Sequence, residues 1–317
     1  MGISDDGTAV VGDSLASVGF GVTRGIEAFL WKRNGVMKGL GALSDDPFSS
    51  TAWDVARGGT VVVGHSRTPD GRQAFYWHQE KRIRGLGFLP RHHQSVAYGV
   101  SADGKVVVGL SSSSEATLAF RWTEQDGMSS LGDLSGGRTS SAALAVSADG
   151  RVIVGRASST RGQEAFRWTA EGGMVGLGDL PDGEFYSAAF GVSSNGQLVV
   201  GAARSAEGVE AFLWSPTKGM TKLGDLPEGD FASTAYAVSA TGHVVVGQAS
   251  GADGAEAFVW TGAKMQSLHA LVRQQPTFGD WELEAARDVS ADGEIIVGVG
   301  RNPAGEPVAW LLRMPQP

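Results

Sequence analysis

A chain of 317 residues with a formal net charge of −8 at pH 7 repels polyanions, which excludes charge-driven binding to nucleic acid or to an anionic membrane surface. Glycine occurs 47 times and cysteine not at all, so disulfide frameworks, cysteine-ligated zinc and thiol nucleophiles are excluded as well. No apolar run approaches the ~18 residues that span a bilayer, so membrane insertion is not expected, and residues 1–6 have neither the basic start nor the apolar core of a signal peptide.

Three short segments recur along the chain. The first, V-S-x-D-G-x-V-V-V-G, closes at Gly12, Gly64, Gly109, Gly155, Gly201, Gly247 and Gly298. The second, A-F-x-W, ends at Trp31, Trp77, Trp122, Trp168, Trp214 and Trp260, with a degenerate seventh copy ending at Trp310. The third, L-G-x-L, occupies 40–43, 86–89, 131–134, 177–180 and 223–226, and weakens to Leu268-His269-Ala270-Leu271 at its sixth place. Each unit of about 46 residues contains four stretches rich in valine and aromatic residues between glycine-centred turns, the pattern of strands rather than helices. In the fifth unit they fall at 188–193, 198–203, 210–214 and 220–226, with tight turns at 194–196 and 216–219.

A lone four-stranded meander cannot bury both faces, so successive units must pack face to face. The fold expected is all-β: a single domain over 1–317, a seven-bladed β-propeller of four-stranded antiparallel blades with the last blade incomplete. An open β-solenoid is the alternative, but no unit has the polar outer face of a capping repeat. The tryptophan of each third strand is expected between neighbouring blades, and the glycine that ends each second strand permits a ring or a backbone to approach. The chain enters at the end of an inner strand and stops after a third strand, so a segment upstream of Met1 is expected to complete the first and last blades.

With these segments in register, the sequence resembles the HAF-repeat family of predicted extracellular bacterial proteins. The tripeptide before the tryptophan reads Glu27-Ala28-Phe29, Gln73-Ala74-Phe75, Glu164-Ala165-Phe166, Glu210-Ala211-Phe212 and Glu256-Ala257-Phe258, with Glu or Gln in place of the family's His. The resemblance implies export to the cell surface or medium. It implies no established activity and brings no catalytic residues.

Strands alternate in direction, so the loops from second to third strand and from one unit to the next share a face. The longer loops, at 44–50, 90–96, 135–141, 181–187, 227–234 and 272–284, lie there and are the expected place of function. They carry Phe185, Tyr186, Phe231 and Trp281 beside Asp182, Glu184 and Asp230, with Phe48 and Phe278 similarly placed. Aromatic faces next to acidic groups suit a sugar, the faces stacking and the carboxylates taking hydroxyls. The first functional reading is therefore a monomeric secreted or surface propeller that binds a glycan or a protein, with no nucleic-acid partner and no cofactor. The recurring carboxylates, including Asp45, Asp46, Asp133, Asp179, Asp225 and Glu228, could surround a Ca²⁺ ion, although no EF-hand spacing is present.

A second reading comes from the second unit, which holds four of the six histidines: His65, His78, His92 and His93. It is a hydrolase or lyase at the channel mouth, with His92 or His93 as base and Arg91 or Arg138 steadying an anion. Linear nucleotide-binding, zincin and serine-hydrolase motifs are absent, which bears only on those families. One further position, two before the last apolar residue of each inner strand, reads Trp53, Tyr98, Leu144, Phe190, Tyr236 and Arg287. Its apolar members suit a layer between blades, and Arg287 is read as a consequence of the incomplete last blade.

Overall fold

The computed structural model describes residues 1–17, 23–33, 35–46, 48–227, 229–252, 254–273 and 280–314. Strands pair in chain order into antiparallel meanders, beginning with Gly2–Ile3, Ala9–Ser17, Thr23–Lys32 and Lys38–Gly39, then Ser50–Val55, Val61–Thr68, Gly71–His78 and Arg84–Gly85. In the fifth unit the strands are Ser187–Val192, Val199–Arg204, Val209–Ser215 and Gly219–Gly224, within two residues of the expected bounds. The final set, Glu282–Val289, Ile295–Arg301 and Pro307–Arg313, has three strands among the described residues.

Local chemistry explains the tight turns. Ser193 donates its hydroxyl to Asn195 Oδ1 at 2.7 Å and accepts the Leu198 N–H at 3.0 Å, while Gly196 takes the left-handed conformation at φ 69°. The same serine turn recurs at Ser101 with Asp103, Ser147 with Asp149 and Ser290 with Asp292. The residue after each turn serine, and Arg57 after Ala56 in the second unit, then bonds to the neighbouring unit: Arg57 N–H to Ala102 O, Ala102 to Ala148, Ala148 to Ser194, Ala240 to Ala291, and Ala291 to Asp5, at 2.9–3.1 Å. This belt of backbone bonds joins the last sheet to the first.

Burial between sheets supplies the core. Leu30 and Leu40 of the first sheet pack with Val62, Phe75 and Trp77 of the second, so the tryptophan fills the gap between sheets as expected. The phenylalanines one turn of the pleat away, Phe75, Phe120, Phe166, Phe212 and Phe258, are fully buried against the second-strand glycines of their own sheets. The last unit departs from the sequence alignment. Gly298 pairs with Trp310, whereas Gly201 pairs with Phe212, so Trp310 occupies the phenylalanine place and Leu312 the tryptophan place. At the weakened third segment the chain forms a short helix, Leu268–Val272, capped by Ser267, which accepts the Ala270 N–H at 3.0 Å. Leu268 and Val272 are buried on Leu283 and Trp310, closing the last inter-sheet layer.

A serine link joins the units. Ser50, Ser95, Ser141, Ser187 and Ser233 open successive inner strands, and each reaches back to the preceding unit. Ser187 accepts the Ala165 N–H at 3.0 Å and donates to Gly178 O at 2.6 Å, satisfying two backbone groups of the neighbour, one in its third strand and one just past its outer strand. Ser187→Ala leaves both unpaired in a buried layer, and a loss of about 1–3 kcal/mol is expected. A urea midpoint equal to that of the unsubstituted protein, at unchanged slope, would show that the hydroxyl carries no such link.

Candidate functional site at the channel mouth

Every inner strand after the first slips register by one residue. The slip falls between Ala52 and Asp54, Ala97 and Gly99, Ala143 and Ala145, Ala189 and Gly191, Ala235 and Ala237, and Ala286 and Asp288. A β-bulge leaves its extra residue unpaired and re-aims its side chain. The extra residues are Trp53, Tyr98, Leu144, Phe190, Tyr236 and Arg287, and all six line one central cavity of about 180 Å³. The expectation of a layer between blades is thereby corrected: the bulge turns these side chains out of the sheet-to-sheet contact and into the channel.

The bulge residues touch one another and lean toward the long-loop face. Trp53 lies 5.8 Å from Tyr98 and Phe190 lies 5.9 Å from Tyr236, between ring centroids, and the Arg287 guanidinium sits 4.7 Å over Tyr236. Trp53 donates its indole N–H to His65 Nδ1 at 3.1 Å, and Tyr236 pairs with Gln248 at 3.2 Å. His65 and Gln248 stand opposite Thr51 and Thr234, upstream of the bulges, which fixes the direction of the lean. Burial, then Arg72 and Arg67, push the His65 pKa down to about 4, so the ring is neutral with Nδ1 free to accept.

One residue deeper sit two carboxyls in places where other units have Gly or Ala. Asp54 accepts the Val55 N–H at 2.7 Å and the Val100 N–H of the next unit at 2.8 Å. Asp288 does the same with Val289 and with Ile3 of the first unit, both at 2.8 Å. The two flank Gly2, whose added Cβ would lie 3.4 Å from Asp54 Cα and 3.5 Å from Asp288 Oδ2. Burial, reinforced by Asp288, raises the Asp54 pKa to about 8, and burial raises that of Asp288 to about 6. These groups were readable only as a break in a small-residue position. The composition of the repeat gave no other signal.

The loop residues singled out from the sequence are spread over several units. Parallel bridges from Gln163 to Tyr186 and from Val209 to Ala232 set the inter-unit loops beside the second-to-third-strand loops, so the two do share a face. Phe185 lies under the Arg161 guanidinium at 4.2 Å, as Phe48 lies under Arg24 at 4.0 Å, each beside the second-to-third-strand loop of the unit before it. Tyr186 and Trp281 are half-buried, while Phe231 is 49% exposed beside exposed Asp230. Glu184 pairs with Arg204 at 2.5 Å, and exposed Asp182 holds a left-handed turn at φ 68°. Arg91 holds the same turn two loops earlier, at φ 67°. Phe278 and Glu228 lie outside the described residues.

Asp133, Asp179 and Asp225 spend their oxygens on loop closure. Asp179 accepts the Leu180 and Tyr186 N–H groups at 2.9 and 2.6 Å, and the other two repeat this pattern. No three His, Asp or Glu side chains gather for a metal among the described residues. The four histidines of the second unit separate: His65 goes behind Trp53, His78 to the far end of its third strand, and His92 and His93 to the loop. His92 keeps a buried Nδ1 without a partner, His93 and Arg91 are exposed, and Arg138 is exposed on the next loop, with no hydrogen bond or ion pair joining any two of these four.

No protein-family model matches the chain, and no curated protein matches it in sequence. Solved structures do match in shape. TolB from Acinetobacter baumannii aligns with a TM-score of 0.54 at 14% identity over 81% of this chain, which spans 62% of that protein's length. An oligogalacturonate lyase in complex with manganese aligns at 0.57 and 12% identity over 92% of this chain and 84% of the other. Hydrazine synthase of Kuenenia stuttgartiensis aligns at 0.50 and 10% identity over 99% and 94%. At these identities the likeness is one of fold, and the fold is of the β-propeller type.

Proposed function

We propose that this chain is a closed seven-bladed β-propeller of the HAF-repeat kind, secreted or held at the cell surface, that binds a glycan or protein on its long-loop face as a monomer. Closure is supported by the bonds from Ala291 to Asp5 and from Ile3 to Asp288, which tie the last unit to the first. The observation that carries the binding reading is the exposed Phe231 beside exposed Asp230, repeated around the face by half-buried Tyr186 and Trp281 with Asp182 and Glu184. Aromatic surface next to hydrogen-bonding carboxylates is a common way to grip a sugar or a partner side chain. One protein of this fold, the oligogalacturonate lyase, is named for a carbohydrate. The reading requires no nucleic acid, no cofactor and no membrane insertion; among the described residues no helix is long and apolar enough to cross a bilayer.

The test is a glycan and protein array probed with the full chain and with Phe231→Ala and Trp281→Ala. Each variant is expected to lose about tenfold in affinity for whatever ligand is found. Unchanged binding of every ligand by the double variant would remove these residues from the site. The hydrolase or lyase reading rests on the unpartnered Nδ1 of His92, with His93 as the other base and Arg91 and Arg138 as anion holders. Turnover that survives His92→Ala with His93→Ala would end it.

A further inference from the structure

The channel mouth has chemistry that the loops lack. Trp53 is 38% exposed and is held from behind, its indole N–H bonded to His65 and the two rings stacked at 6.2 Å with 23° between planes. Tyr98 tilts beside it. Two places round the ring stands Arg287, exposed, with its guanidinium over Tyr236 and no hydrogen bond or ion pair among the described residues. Between Arg287 and Trp53 stands the first unit, which sets Met1 in the cavity lining at the corresponding place. The cavity lining holds two arginines, Arg57 and Arg287, and three carboxyls, of which Asp54 and Asp288 are turned to backbone N–H groups. Of the arginines in this lining, Arg287 is the one set over an aromatic bulge residue, and it is the cation offered to an anionic group there.

We propose that this mouth binds the terminal hexuronate residue of an acidic glycan, the pyranose face stacking on Trp53 beside Tyr98 and the carboxylate paired with Arg287. The inference rests on the glycan reading given above and narrows it to a substrate class and a place. A pyranose needs a flat apolar face together with mixed donors and acceptors at its rim. Trp53 offers the face, His65 has Nε2 left as a donor, and Asp13, the counterpart of His65 in the first unit, offers an acceptor. Arg287 adds the charge-assisted bond that separates an acidic sugar from a neutral one. A peptide carboxylate would look instead for a nest of free backbone N–H groups. The inner-strand N–H groups of Ile3 and Val100 are already taken by Asp288 and Asp54. The cavity of about 180 Å³ is small beside the ~300–1,000 Å³ of a drug-sized site, so it takes the end of a chain and not its middle.

Calorimetric titration of the full chain with trimers of galacturonate, mannuronate and, as the neutral control, galactose tests this. An acidic trimer is expected to bind at least about tenfold more tightly than the neutral one. Arg287→Met is expected to erase that preference with the melting temperature unchanged, since Arg287 is exposed, and Trp53→Ala to weaken acidic and neutral trimers alike. Equal binding of acidic and neutral trimers would overturn the uronate assignment and leave the glycan reading standing. A preference that survives Arg287→Met would overturn the role of Arg287. Failure of all three trimers to bind, with Phe231→Ala still altering binding to a neutral glycan or a protein, would overturn the uronate inference alone. Failure of every glycan would bring down the glycan reading with it.

Discussion

Gly201→Ala is expected to destabilise the protein by about 3 kcal/mol or more, the upper end of the range for overpacked cores. Gly201 ends the second strand of the fifth unit, and an added Cβ would lie 1.9 Å from Ala188 O and 2.8 Å from Phe212 Cε1. Neither neighbour can yield. The carbonyl belongs to the paired inner strand, and Phe212 is fully buried. The same two neighbours recur at Gly109, against Val96 O and Phe120, and at Gly247, against Thr234 O and Phe258. The strain in each case comes from approach, not from backbone conformation. Gly219→Ala separates the two causes, because Gly219 has φ 68° and no atom within 4 Å of an added Cβ, so only the ~1–2 kcal/mol cost of a left-handed alanine is expected there. Urea unfolding of both variants checks the order. A Gly201→Ala midpoint no lower than that of Gly219→Ala would show that strand and ring move apart at little cost.

The repeat made the fold legible. Tandem tryptophans and Gly-Asp turns placed the strands, and Trp77 and Trp122 do fill inter-sheet layers. What was not legible arises from single-residue register. Alternation along an inner strand assigns faces by parity, and a bulge between Ala52 and Asp54 reverses the parity at Trp53, so a channel residue reads as an interface residue. Trp310 misleads for a related reason: the eye aligns tryptophan with tryptophan, while pairing opposite Gly298 puts it in the phenylalanine place. The linking serines recur at Ser50, Ser95, Ser141, Ser187 and Ser233 at nearly constant spacing, yet each sits at a loop end where serine is commonplace. Arg287 stood out by breaking its column, while Asp54 and Asp288 were passed over. Their position in the channel, on which any function there depends, came only with the fold.

The stability of the protein is expected to fall as pH rises from about 4 to 8, with Asp54 controlling the upper part of that range. Asp54 is half-buried at the channel wall and accepts two backbone N–H groups, with no side-chain cation bonded to it among the described residues. Its folded pKa of about 8 and that of Asp288 at about 6 both exceed the ordinary value of 3.8. The folded state therefore holds more protons than the unfolded state between those limits, so the stabilisation is complete below about pH 4 and is lost through pH 6 and then pH 8. His65 works in the opposite direction: its pKa falls from 6.5 to about 4, so its contribution grows as pH rises across that interval. The interval from pH 6.5 to 8 is thus the diagnostic one for Asp54. Asp54→Asn is neutral at every pH and must turn its amide toward one of the two N–H groups, so it is expected to be less stable overall but flatter with pH. Subtracting its urea midpoints from those of the parent between pH 6.5 and 8 cancels the other titrating groups, including the buried N-terminal amine. A difference that does not change with pH would mean that Asp54 keeps its ordinary charge, and that its two backbone hydrogen bonds outweigh the cost of burying it.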